Sequence, residues 1–173
     1  MSKTIEDLKN RRSIRAYKSE QIKEEELSQI LEAGTYAPTG MNRQSPVIIA
    51  VQDRDTIKTL SKLNAKVMGK TDMDPFYGAP TVVVVLADKS AMTYREDGSL
   101  VLGNMMNAAQ SLGVGSCWIH RAKEVFESEE GKQLLEKWGV SGDYEGIGHC
   151  ILGYAEGPAP EVKKRKENYV IRV

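Results

Sequence analysis

The sequence has no excess of charge of either sign. Lys plus Arg and Asp plus Glu number 24 each, so the formal net charge of the 173 residues is zero. Without a surplus of positive charge there is no global electrostatic reason to expect nucleic acid or an anionic membrane surface as a partner. Any electrostatic binding site must therefore be a local cluster.

Cysteines and long apolar runs are also scarce. Cys117 and Cys150 fit no metal-ligand or redox spacing, which predicts reduced thiols packed as small apolar residues. The longest apolar run, residues 82–87, is far too short to cross a bilayer, and the first ten residues lack the apolar core of a signal peptide. We therefore expect a cytoplasmic protein without a metal, folded as a single domain over residues 1–173.

Familiar catalytic and nucleotide-binding motifs are missing. The G-x-G of "GVGSCWIH" follows a predicted helix instead of preceding one and has no third glycine, which excludes a dinucleotide fold. There is no phosphate loop of the G-x-x-x-x-G-K-[ST] type and no G-x-S-x-G elbow. His120 and His149 have no convincing Ser or Cys partner and are predicted to be structural. Any difficult chemistry is therefore expected to come from a bound cofactor.

The hydrophobic pattern predicts a layered core of helices and strands. Thr4 and Asp7 resemble a capping box opening a short first helix. The apolar segment 100–112 covers nearly every side of one helix ending at Gly113. We therefore expect this helix to be buried all round, either at the centre of the domain or, as we favour, in an interface between subunits. The other predicted elements are helices along 27–34, 57–67 and 125–138, strands along 47–51, "TVVVVLAD", "SCWI" and "GIGHCILGYA", and a β-like end "YVIRV".

Positive charge is concentrated in two short clusters. The first, "NRRSIRAY", contains Arg11, Arg12 and Arg15, and the second is the tail segment "KKRK". Guanidinium groups crowded together suit a phosphate, and a folded chain could bring both clusters to the same one. From the residues alone, a solvated basic turn and a solvated tail remain open alternatives.

Polar side chains at two further places suggest a ligand with donors and acceptors. The loop "APTGMNRQSP" offers Thr39, Asn42 and Gln44 beside a turn made permissive by Gly40, although turn formation alone explains many such loops. Asn64 interrupts an apolar helical stripe, and a buried amide without a partner costs about 1–3 kcal/mol. A backbone carbonyl is the first candidate for its partner, and a ligand is the second.

Five motifs, taken in order, resemble the compact form of the FMN-dependent nitroreductase family: "RRSIRAY", "ILEAGTYAPTGMNRQSP", "YGAPTVVVVLAD", "NMMNAAQSLGVGSCWI" and "KKRK". The resemblance implies an α+β fold with a central, mostly antiparallel sheet flanked by helices. It also implies an intertwined homodimer with FMN at the interface, and a C-terminal segment that extends onto the other subunit.

The resemblance further implies a set of cofactor ligands. The implied ligands of the phosphate and ribityl chain are Arg11, Arg12, Ser13, Arg15, Lys163 and Arg165. The isoalloxazine would contact a loop of the second subunit that contains Pro38, Thr39, Asn42 and Gln44, and Asn64 would contact the ring or the ribityl chain. The backbone near flavin N5 and O4 would be that of Trp118, Ile119, His120 and Arg121. Gln44 is followed by Ser45, Pro46 and Val47, whereas the family frequently has proline and an aromatic residue there. An aromatic wall of the pocket is therefore expected to be missing.

The implied reaction is a ping-pong hydride transfer from NADH or NADPH, through flavin N5, to an acceptor such as a nitroaromatic or a quinone, with no catalytic base. Two other functions compete with it: a flavin carrier without turnover, and a cofactor-free interaction protein in which both basic clusters are merely surface. The sequence does not give the preference between NADH and NADPH, for which Arg43 and Arg121 are no more than candidate determinants.

Overall fold

A computed structural model describes residues 1–173 and contains one four-stranded sheet. Neighbouring strands are all antiparallel, in the order β1-β2-β4-β3. The strands are β1 (Pro46–Val51), β2 (Thr81–Asp88), β3 (Gly115–Ile119) and β4 (Tyr144–Gly153). This arrangement confirms the expected α+β fold with an antiparallel sheet.

Six α-helices cover the two faces of the sheet: α1 (Lys3–Asn10), α2 (Glu24–Thr35), α3 (Arg54–Met68), α4 (Tyr94–Ser111), α5 (Ala122–Glu127) and α6 (Glu129–Lys137). Side chains of β2 alternate between two apolar clusters, because successive strand residues point to opposite faces. Val82 and Val84 join Leu60 of α3, whereas Val83 and Val85 lie in the cluster formed with α2 and α4. Residues 81–87 are buried, as the sequence predicts for a central strand.

Two local predictions about helices are wrong. The segment 125–138 forms two helices, because Ser128 is extended and its hydroxyl accepts a hydrogen bond from the Gly131 N–H at 3.1 Å, which begins α6. The capping box does not form either. Thr4 and Asp7 both lie inside α1, and Ser2 precedes it without a side-chain cap.

Helix α4 begins six residues before the predicted segment and ends as expected, with Gly113 in the left-handed conformation just beyond it. Within the single chain its burial is incomplete, and the expected burial against a second subunit stays a prediction. Leu102 and Met105 are fully buried, but Leu100 is 46% exposed. One side of α4 therefore remains open to solvent or to a partner.

The two flanks of the chain meet at one corner of the sheet. Ser13 forms a parallel bridge with Ser116 of β3, and Tyr17 forms an antiparallel bridge with Ala155. Beyond Glu156 the tail belongs to no helix or strand, so the predicted β-like end "YVIRV" is wrong for this chain. None of the helices combines the length and the apolar composition that crossing a membrane requires.

Candidate active site

The arginine run leaves the end of α1 and passes along the edge strand β3. Arg11 caps α1 with its N–H on the Asp7 carbonyl at 2.9 Å, and the Ile14 N–H donates to the Ser116 carbonyl at 3.0 Å. The Arg12 guanidinium donates through Nη1 to the carbonyls of Lys9 and Arg11, at 2.8 and 2.6 Å. Its Nε is buried and has no partner in the chain.

The remaining cations predicted to bind the phosphate are all exposed, namely Arg15, Lys163 and Arg165. The tail leaves the sheet beside the arginine run, because the Glu156 N–H donates to the Ala16 carbonyl at 2.9 Å. This pairing brings the start of the tail, although not Lys163 and Arg165 themselves, next to the first cluster. Their convergence on one phosphate stays a prediction.

The far end of β3 is fixed by Asn64. This side chain is fully buried in α3, and its Nδ2 donates to the His120 carbonyl at 2.7 Å, which confirms the prediction of a backbone partner. The Asn64 Oδ1 is buried without a partner. Next to this contact, Arg121 adopts a left-handed conformation with φ 76°. Ile119 is buried, Trp118 is half-buried and the His120 side chain is exposed.

The segment 39–45, called the polar loop below, contains a short 3₁₀ turn and has an unusual backbone. Met41, Asn42 and Gln44 all have positive φ, between 52° and 54°. The Gln44 N–H donates to the Thr39 hydroxyl at 3.1 Å. Non-glycine residues rarely adopt this region, and such conformations cluster at functional sites. Pro38, just before the loop, is exposed.

The role of Gly40 in the polar loop differs from the predicted one, which was conformational freedom in a turn. Gly40 has no positive φ, so conformational freedom is not the reason for a glycine here. Instead, a Cβ on Gly40 would collide with the Thr93 hydroxyl at the start of α4. The loop therefore lies directly against α4.

Asp97 of α4 is a residue that the sequence reasoning missed. It is 2% exposed, and its carboxylate accepts hydrogen bonds from the Gly40 N–H at 3.0 Å and from the Ser45 hydroxyl at 3.1 Å. The sequence does indicate an acidic residue just before an apolar helical stretch. Because the apolar pattern begins only at Leu100, Asp97 lies outside the predicted helix.

The cavities of the single chain do not enclose the predicted ligands together. A cavity of about 280 Å³ beside α2 and α4 includes Thr39 and Gln44. A second cavity, of about 540 Å³, lies between α3 and the segment 71–80, and no predicted ligand lines it. Neither of these two cavities brings the predicted ligands together.

Unpartnered buried atoms test whether these residues suit FMN. Only four buried side-chain nitrogen or oxygen atoms lack a hydrogen-bond partner: Arg12 Nε, Asn64 Oδ1 and the two ring nitrogens of His149. Buried polar groups are normally satisfied, so an orphaned atom requires an explanation. Arg12 supplies a charged donor and Asn64 an acceptor, and both were predicted as cofactor ligands. The residues present therefore fit a phosphorylated, hydrogen-bonding cofactor such as FMN.

Comparisons with known proteins identify relatives of this chain. Over 160 residues the chain is 33% identical to an Archaeoglobus fulgidus protein named, provisionally, NADH dehydrogenase/NAD(P)H nitroreductase, covering 89% of this chain and 86% of the relative. It is 30% identical over 138 residues to the FMN reductase (NAD(P)H) of Bacillus subtilis, covering 67% of this chain and 53% of that protein.

A solved structure matches the whole fold. The crystal structure of a nitroreductase with bound FMN from Bacteroides fragilis aligns with a TM-score of 0.92 and 30% identity over 100% of both chains. The model of the nitroreductase family matches residues 8–154, which include the arginine run, the polar loop, Asn64 and β3. The chain belongs to the nitroreductase family.

Proposed function

We propose that this protein is an FMN-dependent oxidoreductase that takes hydride from NADH or NADPH and delivers it to a small-molecule acceptor such as a nitroaromatic or a quinone. The observation that carries the proposal is the full-length match to a nitroreductase with bound FMN. The names of the two relatives, an NAD(P)H nitroreductase and an FMN reductase, support NAD(P)H as the reductant.

The phosphate of FMN would be held by cations from both ends of the chain. Charge-assisted hydrogen bonds contribute about 1.5–3 kcal/mol each, so several of them retain a cofactor without covalent attachment. Arg12 supports this role, since its Nη1 is anchored on backbone carbonyls while its buried Nε has no partner. The proposed phosphate and ribityl ligands are Arg11, Arg12, Ser13, Arg15, Lys163 and Arg165.

The ring of FMN would lie between the polar loop, Asn64 and the end of β3. When bound, FMN supplies the hydride-accepting and hydride-donating chemistry. Asn64 holds the backbone at His120 and keeps one acceptor free, and the N–H groups of segment 118–121 would stabilise negative charge on the ring. The chain needs no side-chain acid or base for this reaction.

We infer that two copies of the chain form the working unit. Apolar side chains lie exposed on α1 and α4, with Ile5 50%, Leu8 51% and Leu100 46% exposed. The tail adds exposed Val170 and Ile171, at 74% and 81%. Burying these side chains against a second copy would remove apolar surface from water and would place a second polar loop beside the first chain's cofactor. We place this dimer in the cytoplasm.

The visible absorption spectrum tests the proposed function. The purified protein is expected to be yellow and to bleach when NADH or NADPH is added under anaerobic conditions. A yellow protein that does not bleach would favour the flavin carrier. A colourless protein that gains no thermal stability from added FMN would favour the cofactor-free alternative.

A pair of double variants tests the phosphate site. Arg15→Ala with Arg165→Ala is expected to weaken FMN retention on gel filtration far more than Lys66→Ala with Lys70→Ala. The control pair removes the same formal charge from exposed positions in and after α3. Equal retention by the two double variants would disprove that the chain ends converge on the phosphate.

A further inference from the structure

One buried carboxylate attaches both ends of the polar loop to α4. Oδ1 of Asp97 accepts from the backbone N–H of Gly40, and Oδ2 accepts from the hydroxyl of Ser45. The two attachment points stand on either side of the three residues with positive φ. The carboxylate therefore spans the part of the loop whose backbone is least favourable.

Apart from Asp97, one hydrogen bond links the loop to the rest of the chain, from the Asp88 N–H to the Ser45 carbonyl at 3.1 Å. Between residues 39 and 44 its other hydrogen bonds are internal, from the N–H groups of Asn42, Arg43 and Gln44 to acceptors on Thr39 and Gly40, and from the Gln44 amide to the Asn42 side chain. Left-handed conformations of non-glycine residues are unfavourable and persist only where surrounding contacts impose them. Asp97 supplies the contacts with the helix.

Asp97 has no competing role in an ion pair. No lysine or arginine lies within salt-bridge distance of its carboxylate, although the residue is 2% exposed. Its position in the first turns of α4 suits an anion, because the unpaired N–H groups there carry partial positive charge. The polar contacts of the Asp97 carboxylate are therefore its hydrogen bonds with the Gly40 N–H and the Ser45 hydroxyl.

We propose that Asp97 is a positioning residue that fixes the polar loop for contact with the flavin ring. The inference rests on the proposed function, in which Thr39, Asn42 and Gln44 of this loop meet the isoalloxazine. Because α4 also carries the exposed Leu100 of the expected subunit interface, the same helix links the interface to the loop. Asp97 acts through Gly40 and Ser45 and does not itself touch the cofactor.

Variants at Asp97 separate its hydrogen bonds from its charge. Asn has nearly the same shape, its oxygen can accept from Gly40, and its amide can donate to the Ser45 hydroxyl oxygen. Asp97→Asn is therefore expected to preserve the loop, whereas Asp97→Ala removes both attachments. Ser45→Ala removes only one of them and keeps the test possible if Asp97→Ala fails to fold.

Asp74 provides a matched control. Its carboxylate also holds a loop, accepting from the Ser61 hydroxyl at 2.6 Å, from the Gly78 N–H at 2.7 Å and from the Phe76 N–H at 2.9 Å, although Asp74 is exposed. That loop contains no predicted flavin ligand. Asp74→Ala therefore removes three carboxylate hydrogen bonds, against two at Asp97, and reports the effect of a loosened loop away from the predicted flavin ligands.

Hydrogen exchange in the FMN-free protein gives the first measurement. Asp97→Ala is expected to speed exchange in peptides covering residues 39–45, Ser45→Ala to speed it less, and Asp97→Asn and Asp74→Ala to leave it at the wild-type rate. This arm does not depend on the cofactor, so it tests the attachment even if the protein proves not to bind FMN.

Turnover and the flavin spectrum of the FMN-saturated protein give the second measurement. Asp97→Ala is expected to shift the visible flavin band and to lower kcat about tenfold or more, because a displaced loop no longer orients the reacting groups. Asp97→Asn is expected to restore both, while Asp74→Ala changes neither. Wild-type exchange in Asp97→Ala would overturn the proposal, and so would faster exchange with an unchanged flavin band and kcat.

Discussion

Replacing His149 with leucine should remove a large part of the acid sensitivity of this fold. His149 lies on β4, is fully buried, and has its ring 5.2 Å from the ring of Phe76 and 6.0 Å from that of Phe126. Neither ring nitrogen has a hydrogen-bond partner. Burial lowers the pKa of His149 from 6.5 to about 4, an effect that the neighbouring Ile119 backbone opposes only in part.

The sign of the effect follows from proton binding. Between pH 6.5 and pH 4 the unfolded chain binds a proton at this imidazole and the folded chain does not, so acid favours unfolding. The contribution of neutral His149 is complete above pH 6.5 and is lost as the pH falls. Each pH unit in this window removes about 1.4 kcal/mol, so the free energy of unfolding should fall by about 2 kcal/mol between pH 7 and pH 5 from His149 alone.

Urea unfolding at pH 7 and pH 5, with the same saturating FMN in every sample, measures this difference. His149→Leu should lose about 2 kcal/mol less than the wild type between the two pH values. Phe76→Leu disturbs the same cluster but keeps the imidazole, so it should weaken the fold at both pH values and keep the wild-type pH dependence. His149→Gln repeats the test with a polar side chain. Equal losses in the wild type and both His149 variants would refute the reasoning.

Three further substitutions test other contacts. Asn64→Leu should weaken FMN binding about tenfold or more in a fluorescence titration, because a buried hydrogen-bonding group is lost; unchanged affinity would remove Asn64 from the cofactor site. Gly40→Ala should lower Tm through its collision with Thr93, and by less in a Thr93→Ala background; additive effects would contradict the collision. Glu145→Gln should make stability decline less steeply below pH 4.5 than in the wild type. The bidentate Arg95 guanidinium lowers the pKa of the Glu145 carboxyl, and the stabilisation from this ion pair is lost as acid protonates the carboxyl. A pH profile of stability parallel to that of the wild type would argue against the Arg95–Glu145 pair.

The sequence predicted those parts of the fold whose cause is local. The uninterrupted β-branched run of β2 predicted a strand buried on both faces, and the interrupted apolar stripe around Asn64 predicted a buried amide with a backbone partner. Each signal lies within one element, so periodicity alone reveals it. The strand directions, in contrast, came from the family resemblance, because the residues themselves do not state which strands pair.

The features that the sequence did not predict depend on contacts between distant residues. Asp97 forms hydrogen bonds with Gly40 and Ser45, which lie 57 and 52 positions away in the sequence. No pattern within either segment predicts these contacts. Ser128 interrupts a stretch whose apolar residues continue a helical period, so its role as a cap was hidden by Leu134 and Trp138 beyond it. The unpartnered Arg12 Nε and Asn64 Oδ1 likewise become visible only when burial is known.

The strand order has a consequence for biosynthesis. β4 is the last strand to leave the ribosome, yet it lies inside the sheet, between β2 and β3. Until it emerges, β2 lacks one neighbour and exposes an edge of valines, while β3 has no strand to pair with. Completion of the sheet must therefore wait until β4 has been synthesised, after the other three strands. Between the synthesis of β2 and that of β4, the nascent polypeptide therefore carries an unpaired strand edge, and such edges favour aggregation.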